Sequence, residues 1–249
     1  MHHLSTATTE PDESTPGCRT WRVGDGYVGG DGHVVTVREL DPGFAETVAA
    51  VPDAERVFVV LSGELVLGTS NGEHQARPRA VAFLPRGTGC RLSVTEPTRV
   101  LWIASTAPAA APPADASSDL ALTSIDDREG VAMTDPAVGM FDIVSRALVT
   151  SDTLPAHAVL VGHSCFASEH GLHELHRHER DEFLYGVAGT AHALTDEEGE
   201  KALEPGDLVY IPAGEWHGLR AMEGEELSEH IFGYLGVSSF ADVGYALRG

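Results

Sequence analysis

The chain has 249 residues, with 38 acidic against 16 basic side chains and a formal net charge of -22, which is enough for one large domain or two ordinary ones with real cores. So anionic a chain repels phosphate backbones and acidic lipid headgroups, which argues against nucleic-acid and membrane-surface roles. No apolar stretch approaches the ~20 residues of a bilayer span, and the 27 glycines and 14 prolines favour short strands joined by turns over a helical bundle.

Taken in chain order, residues 1–17 are polar and aperiodic and read as a disordered tail. The N-terminus has no basic region followed by an apolar core, and Cys18, Cys90 and Cys165 are an odd, widely spaced set. Both features fit a cytoplasmic protein with reduced thiols. Segments 33–37, 57–61, 64–67, 80–84 and 100–103 are β-branched and aliphatic and predict strands, and Asn71-Gly72 is a two-residue hairpin signal. An Ala/Pro/Ser/Asp stretch over 105–119 predicts a solvated linker. Beyond it, 158–167, 182–187, 208–211 and 228–235 again read as strands, and no amphipathic helix of three turns is evident. The expectation is an all-β chain with one body over 18–104 and a second over 120–249.

The two bodies repeat each other. Residues 56–63 (RVFVVLSG) overlay 182–189 (EFLYGVAG) at a shift of 126, and 85–90 overlay 212–217 at a shift of 127. Order, spacing and turn chemistry are kept together, which marks a duplicated domain.

Nine of the 13 histidines lie between His157 and His230. On a strand, residues two apart share a face, so His176 and His178 can present both imidazoles to one point. A turn then allows Glu182 to return to that point from the next strand. His217, after Gly206, Pro212 and Gly214, supplies a fourth candidate. Three imidazoles and one carboxylate suit a first-row divalent metal.

These residues resemble the two motifs of the cupin superfamily: His176-x-His178-x3-Glu182-x6-Gly189, then Gly206-x5-Pro212-x-Gly214-x2-His217. Two positions depart from the pattern: the glycine before the paired histidines sits one place late, at Gly171, and Ala221 stands where an asparagine is usual. The resemblance implies two tandem jelly-roll-like cupin barrels joined by the Ala/Pro linker. It also implies one divalent transition metal (Fe, Mn, Ni or Zn) in the second barrel, held by His176, His178, Glu182 and His217. In the first body the matching positions are Ala50, Pro52, Arg56 and Cys90, and an arginine in the cage repels a metal ion. That barrel reads as a structural partner in which Arg56 could at most bind a small anion.

Around the metal, Glu174 shares the ligand face if its strand is regular, which would make it an orienter or proton shuttle. His230 alternates with Phe232 and Tyr234 on the last strand and could line the pocket. Glu174 and His230 are therefore the candidate catalytic residues. His170 and His173 are expected to be exposed, Trp216 to point away from the metal, and Cys165 to be buried filler. His192 matches Val66 in the repeat and reads as an ordinary strand position.

Three histidines and a glutamate leave coordination positions open for reactants. The resemblance implies an oxidoreductase, dioxygenase-like, acting on a small oxygen-rich metabolite. The alternatives are a non-redox isomerase, cyclase, lyase or hydrolase, and a ligand-binding cupin without catalysis. The expected partner is a small-molecule substrate, and the open edges of cupin sheets suit a homodimer.

Overall fold

The computed structural model describes residues 1–23, 32–106, 119–196, 199–224 and 227–248. The first half contains β1 (His2–Ser5), β2 (Glu13–Thr15), β3 (Cys18–Arg22), β4 (Val34–Leu40), β5 (Ala45–Val48), β6 (Ala54–Ser62), β7 (Leu65–Thr69), β8 (Gly72–Ala76), β9 (Ala80–Leu84), β10 (Cys90–Ser93) and β11 (Thr98–Thr106). The second contains β12 (Ala121–Ser124), β13 (Val131–Asp135), β14 (Met140–Val149), β15 (Val159–Phe166), β16 (Leu172–Arg177), β17 (Glu182–Ala188), β18 (Ala191–Thr195), β19 (Gly199–Leu203), β20 (Asp207–Ile211), β21 (His217–Ala221), β22 (Glu229–Leu235) and β23 (Ala246–Leu247). Among the described residues the only helices are two three-residue 3-10 turns, Pro136–Val138 and Phe240–Asp242. None is long and apolar enough to cross a membrane.

The repeat is structural as well as sequential. In the first barrel a seven-stranded sheet, ordered β12-β9-β6-β11-β4-β3-β2, faces a four-stranded sheet, β5-β10-β7-β8. The second barrel has the same order in β20-β17-β22-β15-β14-β13 and in β16-β21-β18-β19. Its two layers join where Met140 and Phe141 of β14 pair with His173 and Leu172 of β16. Gly63 and Gly189, matched by the repeat, both hold a left-handed turn with φ of 75° and 58°. A Cβ on Gly63 would lie 2.4 Å from the Pro97 carbonyl, so only glycine fits this turn between the two sheets.

Two strands cross from one half to the other. β1 pairs antiparallel with β20 of the second barrel, and β12 pairs with β9 of the first. Residues 1–17 are therefore not the disordered tail their composition suggests, because 2–5 and 13–15 are edge strands. Short edge strands bury little, so they carry no apolar periodicity. The linker expected over 105–119 begins inside β11, where Ser105 is fully buried. Residues 107–118 of that stretch lie outside the described residues.

Strand alternation explains the cores. In β6, Val57 and Val59 point to one side and Phe58 and Val60 to the other, and all four are buried. The first pair joins Phe83, Leu101 and Ile103 against Val159, Phe183, Tyr185 and Leu208 of the second barrel, which forms a core between the barrels. The second pair fills the first barrel with Leu65, Leu67, Leu84 and Leu92. A strand apolar on both faces reads as a continuous run, which is what 57–61 shows.

Candidate metal centre

β16, β17 and β21 bring the four predicted ligands to one point inside the second barrel. His176 lies in β16 and His178 just beyond it, Glu182 opens β17, and His217 opens β21 directly across from His176. Their ligand atoms all lie within 4.8 Å of one another, and all four side chains are buried. Bonds of about 2.0–2.2 Å to a shared ion place ligand atoms at most about 4.4 Å apart, so only a few tenths of an ångström of closure brings the widest pair into that range.

The hydrogen bonding shows what the point lacks. His176 Nδ1 lies 2.8 Å from the Glu174 carbonyl, His217 Nδ1 2.9 Å from the Glu215 carbonyl, and His178 Nδ1 against the Arg180 carbonyl. Carbonyls only accept, so each Nδ1 carries the proton and each Nε2 turns a lone pair inward. His178 Nε2 and His217 Nε2 sit 3.2 Å apart, each 2.9 Å from Glu182 Oε2, and His176 Nε2 is buried with no partner. Three inward lone pairs around a carboxylate need a positive charge between them, and a divalent cation supplies it. Imidazoles anchored at Nδ1 by backbone carbonyls are the usual orienting shell of such ligands.

The electrostatics agree. Burial, then the neighbouring His173 and His217, push the His176 imidazole down to about 2, so it stays neutral and free to ligate. Burial raises the Glu182 carboxyl, but His178 and His217 overcome it and hold the group well below its usual range. Against burial, the Glu182 carboxylate lifts the His178 imidazole.

The remaining candidates fall differently. β16 has a bulge between His173 and His176, so Glu174 does not share the ligand face. The Glu174 carboxylate lies beside Gly139, outside the cavity wall, and its backbone carbonyl is what orients His176. His173, expected in solvent, instead faces the cavity, stacks on His176 with ring centroids 3.9 Å apart, and hydrogen-bonds the Tyr245 hydroxyl at 3.1 Å. Burial pushes its imidazole down to about 4. His170 is exposed. His230 lines the cavity, its Nε2 buried without a partner, and burial pushes it down to about 3. Tyr234 packs edge-on against His178 at 4.9 Å, and Cys165 lies in the cavity wall. The guanidinium of Arg177 covers the Trp216 ring at 4.9 Å, and Glu200 sits 3.7 Å from His192. Tyr245, just before the short β23, has no signal in the sequence because its segment is aperiodic.

The ligands open onto a cavity of about 510 Å³. Its other walls are mostly apolar, from Met133, Ile143, Leu184, Leu219, Phe232 and Phe240 among others, with His173, His230 and Tyr245 as polar exceptions. Among the described residues that line it, none is lysine or arginine.

Residues 163–229 match the cupin domain family. No curated protein matches the chain by sequence. Solved structures do. A putative glyoxylate-induced protein from Pseudomonas aeruginosa is 19% identical with a TM-score of 0.68, over 88% of this chain and 80% of its own. A cupin 2 conserved barrel domain protein from Leptotrichia buccalis is 12% identical with a TM-score of 0.63, covering 94% and 95%. The oxalate decarboxylase of Lactobacillus farciminis, solved as a formate complex, is 11% identical with a TM-score of 0.69, covering 99% and 88%. At these identities the likeness is one of fold. Residues 163–229 thus match a cupin domain, and the chain as a whole shares the fold of two-barrel cupins.

Proposed function

We propose that this cupin is a metal-dependent enzyme, dioxygenase-like in its reaction, acting on an organic molecule with a ring-sized apolar body and one or two oxygen donors. The observation that carries this reading is the mostly apolar cavity of about 510 Å³ lined by His176, Glu182 and His217 of the ligand cluster. Its size falls within the ordinary range for small-molecule sites, about 300–1,000 Å³. Apart from the metal ligands, the lining has no described lysine or arginine and is mostly apolar, which favours a substrate whose body is apolar and whose oxygen donors turn to the metal. This reading narrows the oxygen-rich metabolite expected from the sequence to one with an apolar body.

A redox-active divalent metal, when bound, polarises a substrate oxygen and offers a path for electrons to dioxygen. The chain's own contribution is to hold and aim. Four carbonyl- or imidazole-anchored side chains fix the coordination set, and apolar walls exclude water from the reacting groups. His230, in the wall with an unpartnered Nε2, is placed to accept a proton or hydrogen bond from a substrate hydroxyl.

The test loads the protein anaerobically with iron(II), manganese(II) or nickel(II). Dioxygen uptake is then followed with a panel of hydroxylated aromatic and enolic compounds. Metal-dependent uptake that disappears in Glu182→Gln is the expected result. A metal-loaded protein that converts such a compound without consuming dioxygen would replace this reading with the non-redox one.

A further inference from the structure

The first barrel has its own cavity, of about 320 Å³, in the place that corresponds to the metal pocket. It is bounded by β3, β4, β5, β6 and β11, which the repeat matches to β14, β15, β16, β17 and β22. Arg56 projects into it where Glu182 stands in the second barrel: Arg56 pairs with Leu84, and Glu182 with the matching Ile211. Trp102 occupies the place of Phe232, since each pairs with the matched residues Phe58 and Leu184.

The charges in this cavity do not cancel. Arg22 pairs with Glu13 at 2.8 Å and Arg38 with Glu46 at 2.6 Å. Arg56 is only 8% exposed, and its Nη1 is buried with no hydrogen-bond partner. Three arginines against two glutamates leave one positive charge among the described lining residues. The nearby Cys90 does not offset it, because burial pushes the thiol up to about 11 and keeps it neutral. An unpaired buried cation is unfavourable unless a counter-charge arrives. Around Arg56 the walls are part apolar, from Val34, Val48, Ala49 and Trp102, and part hydroxyl, from Thr20 and Thr36. The Arg38 guanidinium lies over the Trp102 ring at 4.5 Å and holds it in place.

We infer that this cavity is a binding site for a small organic monocarboxylate, whose carboxylate meets the free face of the Arg56 guanidinium while its apolar part rests against Trp102 and Val48. One net positive charge matches a monoanion, and a planar fork matches a carboxylate. Dianionic phosphate would bring a second, unmatched charge. The duplicated barrels thus use one position for opposite ends, a carboxylate that holds a cation and a guanidinium that holds an anion.

The test uses the full-length His176→Ala chain, so that no anion binds through a metal in the second barrel. Sodium propionate, sodium benzoate and inorganic phosphate are titrated at fixed ionic strength, followed by calorimetry, tryptophan fluorescence and the thermal midpoint. Saturable carboxylate binding is expected, weakened at least about tenfold in Arg56→Met. Ala49→Phe, which fills the cavity and keeps the charge, should lose binding likewise, and this serves as the readout if Arg56→Met fails to fold. Absence of saturable carboxylate binding, equal binding by both variants, or preference for phosphate would overturn the assignment.

Discussion

The carboxylate of Glu55, in the first barrel, accepts hydrogen bonds from the backbone N–H of Ala158 in the second at 2.8 Å, and from that of His157 at 2.9 Å. It is 1% exposed, with Arg86 3.8 Å away. Burial raises this carboxyl despite those bonds. Removing it leaves two backbone donors unsatisfied at the junction of the barrels, at about 1–3 kcal/mol each. Glu55→Ala should therefore lower stability in urea by about 2–5 kcal/mol, and Glu55→Gln, which keeps one acceptor oxygen, by about half as much. An unchanged midpoint in both variants would contradict the role given to this contact.

A second contact between the barrels titrates. Glu229 accepts from Arg79 at 3.0 Å and from His163 at 3.1 Å, and Arg79 also pairs with Asp126. Burial raises Glu229, but these partners bring it below its ordinary value, and burial lowers His163. A depressed carboxylate contributes fully above its unfolded pKa of about 4.3 and loses that contribution as pH falls through its folded value. A depressed imidazole acts in the same direction from about pH 6.5 downward, because the unfolded chain takes the proton first. Stability should fall steadily from pH 7 to pH 4, and His163→Gln should flatten the part between pH 7 and 5. Urea midpoints across that range measure it.

Metal loss should be visible without any assay of turnover. With Nδ1 of each ligand histidine committed to a carbonyl, nothing but a cation or added protons relieves the crowding of Nε2 atoms around Glu182. A ligand that binds only the folded state stabilises it by mass action. Chelation should lower the thermal midpoint of the metal-loaded protein, and re-addition of metal should restore it. His176→Ala and His178→Ala should contain no stoichiometric metal by elemental analysis and show no response to chelator.

Deleting residues 2–6 should injure the second barrel, although they come first in the chain. β1 covers the open edge of β20, and Leu4 packs against the core between the barrels. Burying one leucine contributes about 1.5–3 kcal/mol, so the midpoint should drop by roughly 3–10 °C. The exposed edge should also promote self-association, which light scattering would detect.

How far the sequence could be read depended on whether burial was periodic. His176, His178, Glu182 and His217 were legible because two-residue alternation and turn glycines place them independently of the rest. Glu174 was misread because the bulge between His173 and His176 breaks that alternation, and it also hid the inward turn of His173. Tyr245 and the walls contributed by Val131, Met133 and Phe240 come from short or irregular segments, where tertiary pairing and not pattern sets the direction. Arg56 was recognisable as a misfit for a metal. Its lack of a partner was not, because that depends on Glu13 and Glu46 being taken by Arg22 and Arg38.

The crossing of β1 and β12 governs how the molecule can be made. A ribosome releases Leu4 some two hundred residues before its partner Leu208, and the first barrel leaves its β9 edge bare until Ala121–Ser124 emerges. Neither half can finish alone during vectorial synthesis, and a cut between β11 and β12 would give two fragments that each carry the missing strand of the other. The two barrels trade edge strands as swapped subunits do, and covalent continuity locks the exchange in place.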